Sequence, residues 1–375
     1  MSYGRVDKIK IYQDLIKFGL AVDWLDPADI VAHKQTLTNF TFQTSTATPS
    51  FNRNNKLDFF DGKPTNFTEA PANTRQWGIR INTKMTSNTL AETSYLALLN
   101  HNFRDAGVRV RAYVNDDQFN SAGTSFSVNK IVELDATVYG SGVITADLVA
   151  GDHYLGYNDS SGAGYQNGWT LIEYPTPTTD NQYLFLFFTP DGGYNTNFDD
   201  VVKLGSIVWG ESMTFPRSVD MKMTHKIDYT EGLIKHQSVG GNDYITASHY
   251  GAPTWVSGLP WQNTATANAE EYFFQQRFGR KSYNLKMSYV DEQELYSPDS
   301  SSPVTGNWFD TESFHQMFYN RTLGGSVPFI MNTQADNGNP PDDAFGYYRL
   351  TRNSMTANQV AHRTYNLDFN IEETF

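Results

Sequence analysis

The sequence predicts a mainly β protein: a β-sandwich of jelly-roll type followed by a second antiparallel β domain with one α-helix. Three observations predict it. Many short runs alternate apolar and polar residues with the period of two that a half-buried strand requires. Gly, Asn, Asp and Pro, the residues that turns select, separate those runs. Aromatic residues make up 14% of the chain, with 22 Tyr and 25 Phe, against 18% charged residues. A disordered chain is poor in aromatics, so these side chains are expected to carry much of a core.

At 375 residues the chain exceeds one ordinary core, and two domains are expected after an N-terminal segment. Residues 1–75 read as an arm and loop-rich segment. Its first part alternates through Ile9 and Ile11 like a strand, and Asp26-Pro27 marks a turn. Residues 76–217 read as the sandwich domain. In VRVRAYV, Val108, Val110, Ala112 and Val114 share one face, with Arg109, Arg111 and Tyr113 on the other. YLALLNHN fits a buried strand or a helical turn, and its period does not choose between them. Phe215-Pro216-Arg217-Ser218 marks the boundary.

Residues 218–375 read as the second domain. Met221, Met223, His225 and Ile227 share one face of a strand, so His225 is expected to be a satisfied core residue. Tyr283, Leu285, Met287 and Tyr289 line another strand. Residues 238–268, rich in Gly, Pro and Asn, carry Tyr244, Tyr250, Trp255 and Trp261 and read as an ordered loop. The helix is expected near 310–323, capped by Asp310 and Thr311, with Phe314, Met317, Phe318 and Leu323 on its apolar face and Gly324-Gly325 at its end. A last strand alternates through Tyr365, Leu367, Phe369 and Ile371 and is expected as a paired edge strand, hazardous in a monomer and useful in an assembly.

A net charge of -13 argues against a general attraction to nucleic acid or an anionic membrane, and no specific nucleic-acid binding is expected. The absence of cysteine excludes disulfides, thiolate metal sites and a Cys nucleophile. It suits a chain made in a reducing bacterial cytoplasm. The opening residues lack the uninterrupted apolar core of a signal peptide. No membrane span is expected, since even Leu184–Phe188 is a run of only five apolar residues.

No constellation points to catalysis, and the chain is not expected to be an enzyme. There is no Gly-x-Ser-x-Gly elbow, no His-Glu-x-x-His and no phosphate-binding glycine loop. Glu211 with Asp199 and Asp200, or Glu270 with Glu271, are nominal glycosidase pairs, but read as solvated surface charge. Asn100-His101-Asn102 is the most distinctive histidine setting, and reads as a buried or edge His holding backbone groups beside a strand end. No cofactor is expected. Oxygen-rich loops at Asp116-Asp117 and Asn158–Gly162 would suit structural calcium, but Asx-rich turns form equally without a metal. Contact residues for a glycan or a partner are expected among Trp77, Tyr165, Trp169, Trp255 and Trp261. The basic run Arg277-Phe278-Gly279-Arg280-Lys281 reads first as an exposed turn and second as a partner contact, through Arg277, Arg280 and Lys281.

GESMTFPRSVDMKM, FGRKSYNLKMSYVDE, the amphipathic helix, NRTLGGSVPFIMN and the final YNLDFNIEE resemble, as a set, tail-associated virion proteins of tailed bacteriophages. YLALLNHNFRDAGVRVRAYVND resembles the sandwich domain that precedes this module in similar phage chains. The resemblance covers residues 76–375 and implies a structural protein at or near the tail tip, like distal tail proteins. It implies assembly with copies of itself in a ring and with other virion proteins, a location in the virion, and a contribution to host attachment. It carries no catalytic residue. The alternatives are a carbohydrate-binding module for host-surface glycans and a capsid-decorating protein.

Overall fold

In a computed structural model the described residues are 8–16, 21–24, 56–64, 66–70, 77–82, 93–103, 105–115, 129–134, 153–154, 168–175, 183–190, 197–228, 233–247, 279–296, 313–336, 344–352 and 355–374. The chain is mainly β, with large antiparallel sheets and little helix, as the residue pattern predicts. It divides into two compact units. The first comprises Met1–Gln13, Met213–Trp255 and Pro260–Phe375; the second comprises Asp14–Ser212 with Val256–Leu259.

Strand β1 (Lys10–Asp14), the first among the described residues, pairs antiparallel with a strand more than 300 residues later, Tyr12 lying opposite Ile330. The expected N-terminal arm is therefore not one piece. Its first strand belongs to the unit built from the C-terminal half, and residues 14–75 belong to the second unit. Ile9, Ile11 and Tyr12 are fully buried, and the Gln13 amide donates to the carbonyl of Met317.

The second unit holds two antiparallel sheets. One has the order β2 (Ala21–Trp24), β4 (Trp77–Asn82), β10 (Tyr183–Pro190), β6 (Val108–Asn115), β7 (Asn129–Leu134). In the other, β5 (Thr93–His101) lies between β9 (Gly168–Pro175) and β11 (Val202–Thr214). The short strands β8 (His153–Tyr154) and β3 (Thr68–Ala70) pair with β9 and β11. YLALLNHN is thus strand, and its unbroken apolar run fits burial on both faces. The same holds for β6, where Arg111 and Tyr113 are buried as well as the predicted valine face.

In the first unit the sheet order is β12 (Thr224–Asp228), β15 (Arg280–Asp291), β19 (Thr364–Glu373), β17 (Phe345–Leu350), β16 (Phe329–Asn332), β1. Strand β18 (Thr356–Ala361) also pairs with β19, and β13 (Leu233–Gln237) with β14 (Asp243–Ala247) forms a separate hairpin. The C-terminal strand, expected as an edge strand, is instead central, with β15 on one side and β17 and β18 on the other; alternation does not tell an edge from an interior position. Its Leu367, Phe369 and Ile371 are buried. Tyr289 leaves the predicted face of β15: a bulge between Met287 and Val290 puts it at φ 59° and exposes it.

The expected helix is shorter and wider. Its described part is a π-helical turn, His315–Asn320, and the proposed caps Asp310 and Thr311 lie outside the described residues. Phe314 lies against both Phe318 (5.3 Å) and Tyr319 (6.0 Å), the i+4 and i+5 positions of the wider turn, and all three are buried. These rings pack on Phe215, Phe329 and Phe369. Leu323 does not join them; it sits at φ 52° and is exposed. Gly324 and Gly325 then end the turn at φ 69° and 84°. A four-residue helix α1 (Glu292–Leu295), which the sequence pattern does not announce, opens with a capping box between Asp291 and Glu294.

Candidate assembly surface

Strand β12 is the outermost strand of its sheet and pairs with β15 alone among the described residues. His225 lies opposite Tyr283 and Ile227 opposite Lys281, so His225 and Ile227 continue the face on which Tyr283 is buried. That face runs out at β12. Met221 and Met223, expected on the same strand face, precede it, since β12 begins at Thr224; Met221 is fully exposed at 103%, and Ile227, on the strand, is 45% exposed. His225 is therefore an exposed edge residue rather than a satisfied core one. Its ring stacks on Tyr283 at 4.6 Å, and partial burial, then Lys281, hold its pKa below the ordinary value. Alternation told which residues share a face; it carried no information about what covers that face.

The hairpin β13–β14 pairs with no other strand among the described residues. Its turn is closed by Ser238 N–H to Asn242 O (2.8 Å) and Gly241 N–H to Ser238 O (2.9 Å), with Gly241 at φ 84°. Val239 at the tip is fully exposed, and Tyr244 is 59% exposed. A two-stranded ribbon is marginal by itself in water. Strand β18 is likewise exposed along most of its length, including Val360.

Arg280 and Lys281 of the basic run begin β15 and are half-buried. Arg280 lies opposite Asp228, and the Lys281 backbone N–H donates to Glu373 Oε2 at 3.0 Å. Gly279 is needed because a Cβ there would come within 2.7 Å of the Asp228 carbonyl. Glu373 is 2% exposed; burial pushes its carboxyl up to about 7, against the pull of the Lys281 N–H and the Lys281 and Arg280 charges. These two cations thus meet acids of their own sheet. Arg277 lies outside the described residues, as do Tyr165, Trp255 and Trp261.

Trp77 and Trp169 do not offer rings to a ligand. Trp77 is stacked between Phe188 (3.8 Å) and Phe59 (6.0 Å). Trp169 is fully buried on β9 opposite Leu99. Trp169 sits on a strand covered on both faces and Trp77 on the buried face of β4 with Ile79 and Ile81, where a large ring is core material. Asn100-His101-Asn102 also does backbone work. Asn102 donates to Val201 O (2.8 Å) and accepts from Lys203 N–H (2.7 Å), which clamps the start of β11. Asn100, at φ 57°, donates to Pro64 O at 2.6 Å. His101 stacks on Phe103 at 4.1 Å, and burial pushes its imidazole down to about 3.

Glu211 is fully buried in β11, whereas Asp199 and Asp200 are exposed before the strand begins. The strand from Val202 to Glu211 spans about 30 Å, and paired glycosidase carboxylates stand about 5–10 Å apart. That pair is not assembled, and Glu211 is not surface charge. Glu270, Glu271 and both oxygen-rich loops lie outside the described residues. Among the described residues no three His, Asp or Glu side chains cluster to hold a metal, and no helix is long and apolar enough to cross a membrane. No protein-family model matches the chain, and no curated protein matches its sequence.

Proposed function

We propose that this chain is a virion structural protein of a tailed bacteriophage, assembling in the tail or tail tip with copies of itself and other virion proteins. The observation that carries the assembly reading is the edge strand β12. It leaves one side of its backbone unpaired by any described strand and sets Ile227 in water, with Met221 exposed just before the strand begins. Such an edge is a hazard in a lone molecule and a joint in an assembly, because a neighbouring strand can complete its ladder. The hairpin β13–β14, with Val239 and Tyr244 exposed, adds an arm that a neighbour can cover. The phage setting rests on the resemblance of residues 76–375. The two antiparallel sheets of the second unit suit a sandwich facing outward, where host attachment takes place.

The test is electron cryomicroscopy of intact phage particles carrying this chain. The expected result is density for it at fixed symmetric positions in the tail. Particles that lack the chain, or that carry it only on the capsid shell, would refute the tail reading.

A further inference from the structure

We infer that the corner formed by α1 and the β18–β19 turn is a binding site for a neutral saccharide. Its parts are Glu292, Tyr296, His315, Arg363 and Tyr365, all in the first unit. Helix α1 is a single turn held rigidly: the capping box fixes one end, Tyr296 N–H donates to Glu292 O (2.7 Å) at the other, and Leu295 is fully buried beneath. The β18–β19 turn docks on it through Glu292 N–H to Arg363 O at 2.9 Å. Arg363 holds φ 58°, a conformation a side chain adopts only when its surroundings fix it.

The side chains then converge. Arg363 Nε lies 3.4 Å from Glu292 Oε2, and the Tyr365 hydroxyl donates to Glu292 Oε1 at 3.5 Å. Tyr296 meets Tyr365 edge-on, 6.0 Å apart at 88°, and His315 at 5.8 Å. Tyr296 keeps 38% of its surface in water, the Arg363 side chain 63% and the Glu292 side chain 42%. Tyr296 thus keeps part of its aromatic side chain in water beside a polar rim. The carboxylate has acceptor capacity and the guanidinium donor capacity beyond the bonds they make to each other. A sugar ring presents that combination: C–H groups on its face and hydroxyls at its edge.

Charge narrows the class. Asp291, Glu292 and Glu294 face two cations, Arg363 beside Glu292 and Arg217 at 3.0 Å from Glu294, so the balance is one negative charge in excess and disfavours a phosphate or an acidic sugar. An uncharged polyol loses nothing by this balance. The inference does not depend on the assembly reading, which is tested by position in the particle.

The test is a printed array of neutral and acidic glycans probed with the full chain, followed by saturation-transfer NMR on the glycans retained. The expected result is retention of at least one neutral class, with a dissociation constant on the order of 1 mM or tighter. Tyr296→Ala and Glu292→Gln should each weaken it at least tenfold, while Lys63→Ala, at an exposed position of the second unit, leaves it unchanged. Melting curves establish that each variant folds, and Glu292→Gln changes charge with almost no change of shape. Retention of no neutral glycan, of acidic glycans only, or binding indifferent to both variants overturns the inference. So does equal blocking of the corner by a proline- or arginine-rich peptide with no glycan retained.

Discussion

Replacing Glu373 with Gln should stabilise the protein at pH 8 relative to its effect at pH 4. The carboxyl is 2% exposed, and burial raises it from the ordinary 4.5 to about 7. A raised carboxyl binds its proton more tightly folded than unfolded. Between about pH 4.5 and 7 the folded state therefore holds more protons than the unfolded one, and stability falls as pH rises through that window. Above pH 7 the buried carboxylate costs the folded state about 3 kcal/mol relative to an unshifted group. The amide does not ionise. It keeps the oxygen that accepts from Lys281 N–H at 3.0 Å, and any cost of its unpartnered NH2 is the same at every pH. The assay is urea denaturation of both proteins at pH 4 and pH 8. The difference between variant and wild type should shift by about 3 kcal/mol in favour of the amide from pH 4 to pH 8. The contribution of buried His101, which lowers stability as pH falls from 6.5 towards 3, is common to both proteins and cancels. A shift below about 0.5 kcal/mol, or one favouring the carboxylate, would mean that Lys281 and Arg280 outweigh burial and would refute the reasoning.

Other predictions follow from packing. Trp77→Ala removes the middle ring of the Phe59–Trp77–Phe188 stack and should cost about 3–5 kcal/mol in denaturation; a loss under 1 kcal/mol would return Trp77 to the surface. Asn102→Ala removes both bonds that clamp the start of β11 and should cost about 2 kcal/mol, with faster amide exchange at Lys203; unchanged exchange there would contradict the clamp. Gly325→Ala forces a side chain into φ 84° and to 2.3 Å from Leu350, and should lower stability by about 2 kcal/mol or more, whereas an equal change at Gly241, at φ 84° in open space, should cost less.

What the sequence made legible was local. The alternation of Leu367, Phe369 and Ile371 names a buried face, and that face is buried. The Gly324-Gly325 stop marks the end of the helical turn because positive φ leaves few alternatives. What it left dark was non-local. Nothing near Tyr12 says that its strand pairs with Ile330, since pairing is decided by a partner some 300 residues away. The same gap explains β12 and the tryptophans. Met221 and Ile227 alternate as core residues do, yet the strand begins only at Thr224 and Ile227 lies at the edge of the sheet; Trp77 and Trp169 resemble surface platforms, yet both are buried. The corner at Tyr296 escaped for the same reason. Glu292 and Arg363 lie 71 residues apart, and no spacing rule joins an aromatic after one strand to a turn before another.

The central claim is that the exposed edge of β12 is a joint between chains. The most direct measurement is the solution mass of the purified full chain by light scattering across a range of concentrations, for wild type and for the paired substitution Met221→Lys and Ile227→Lys. The account predicts a closed oligomer of defined size that falls to single chains in the variant, with the melting temperature of the remaining fold little changed. A wild-type protein that stays at the mass of one chain at every concentration, or a variant that assembles as the wild type does, would contradict it.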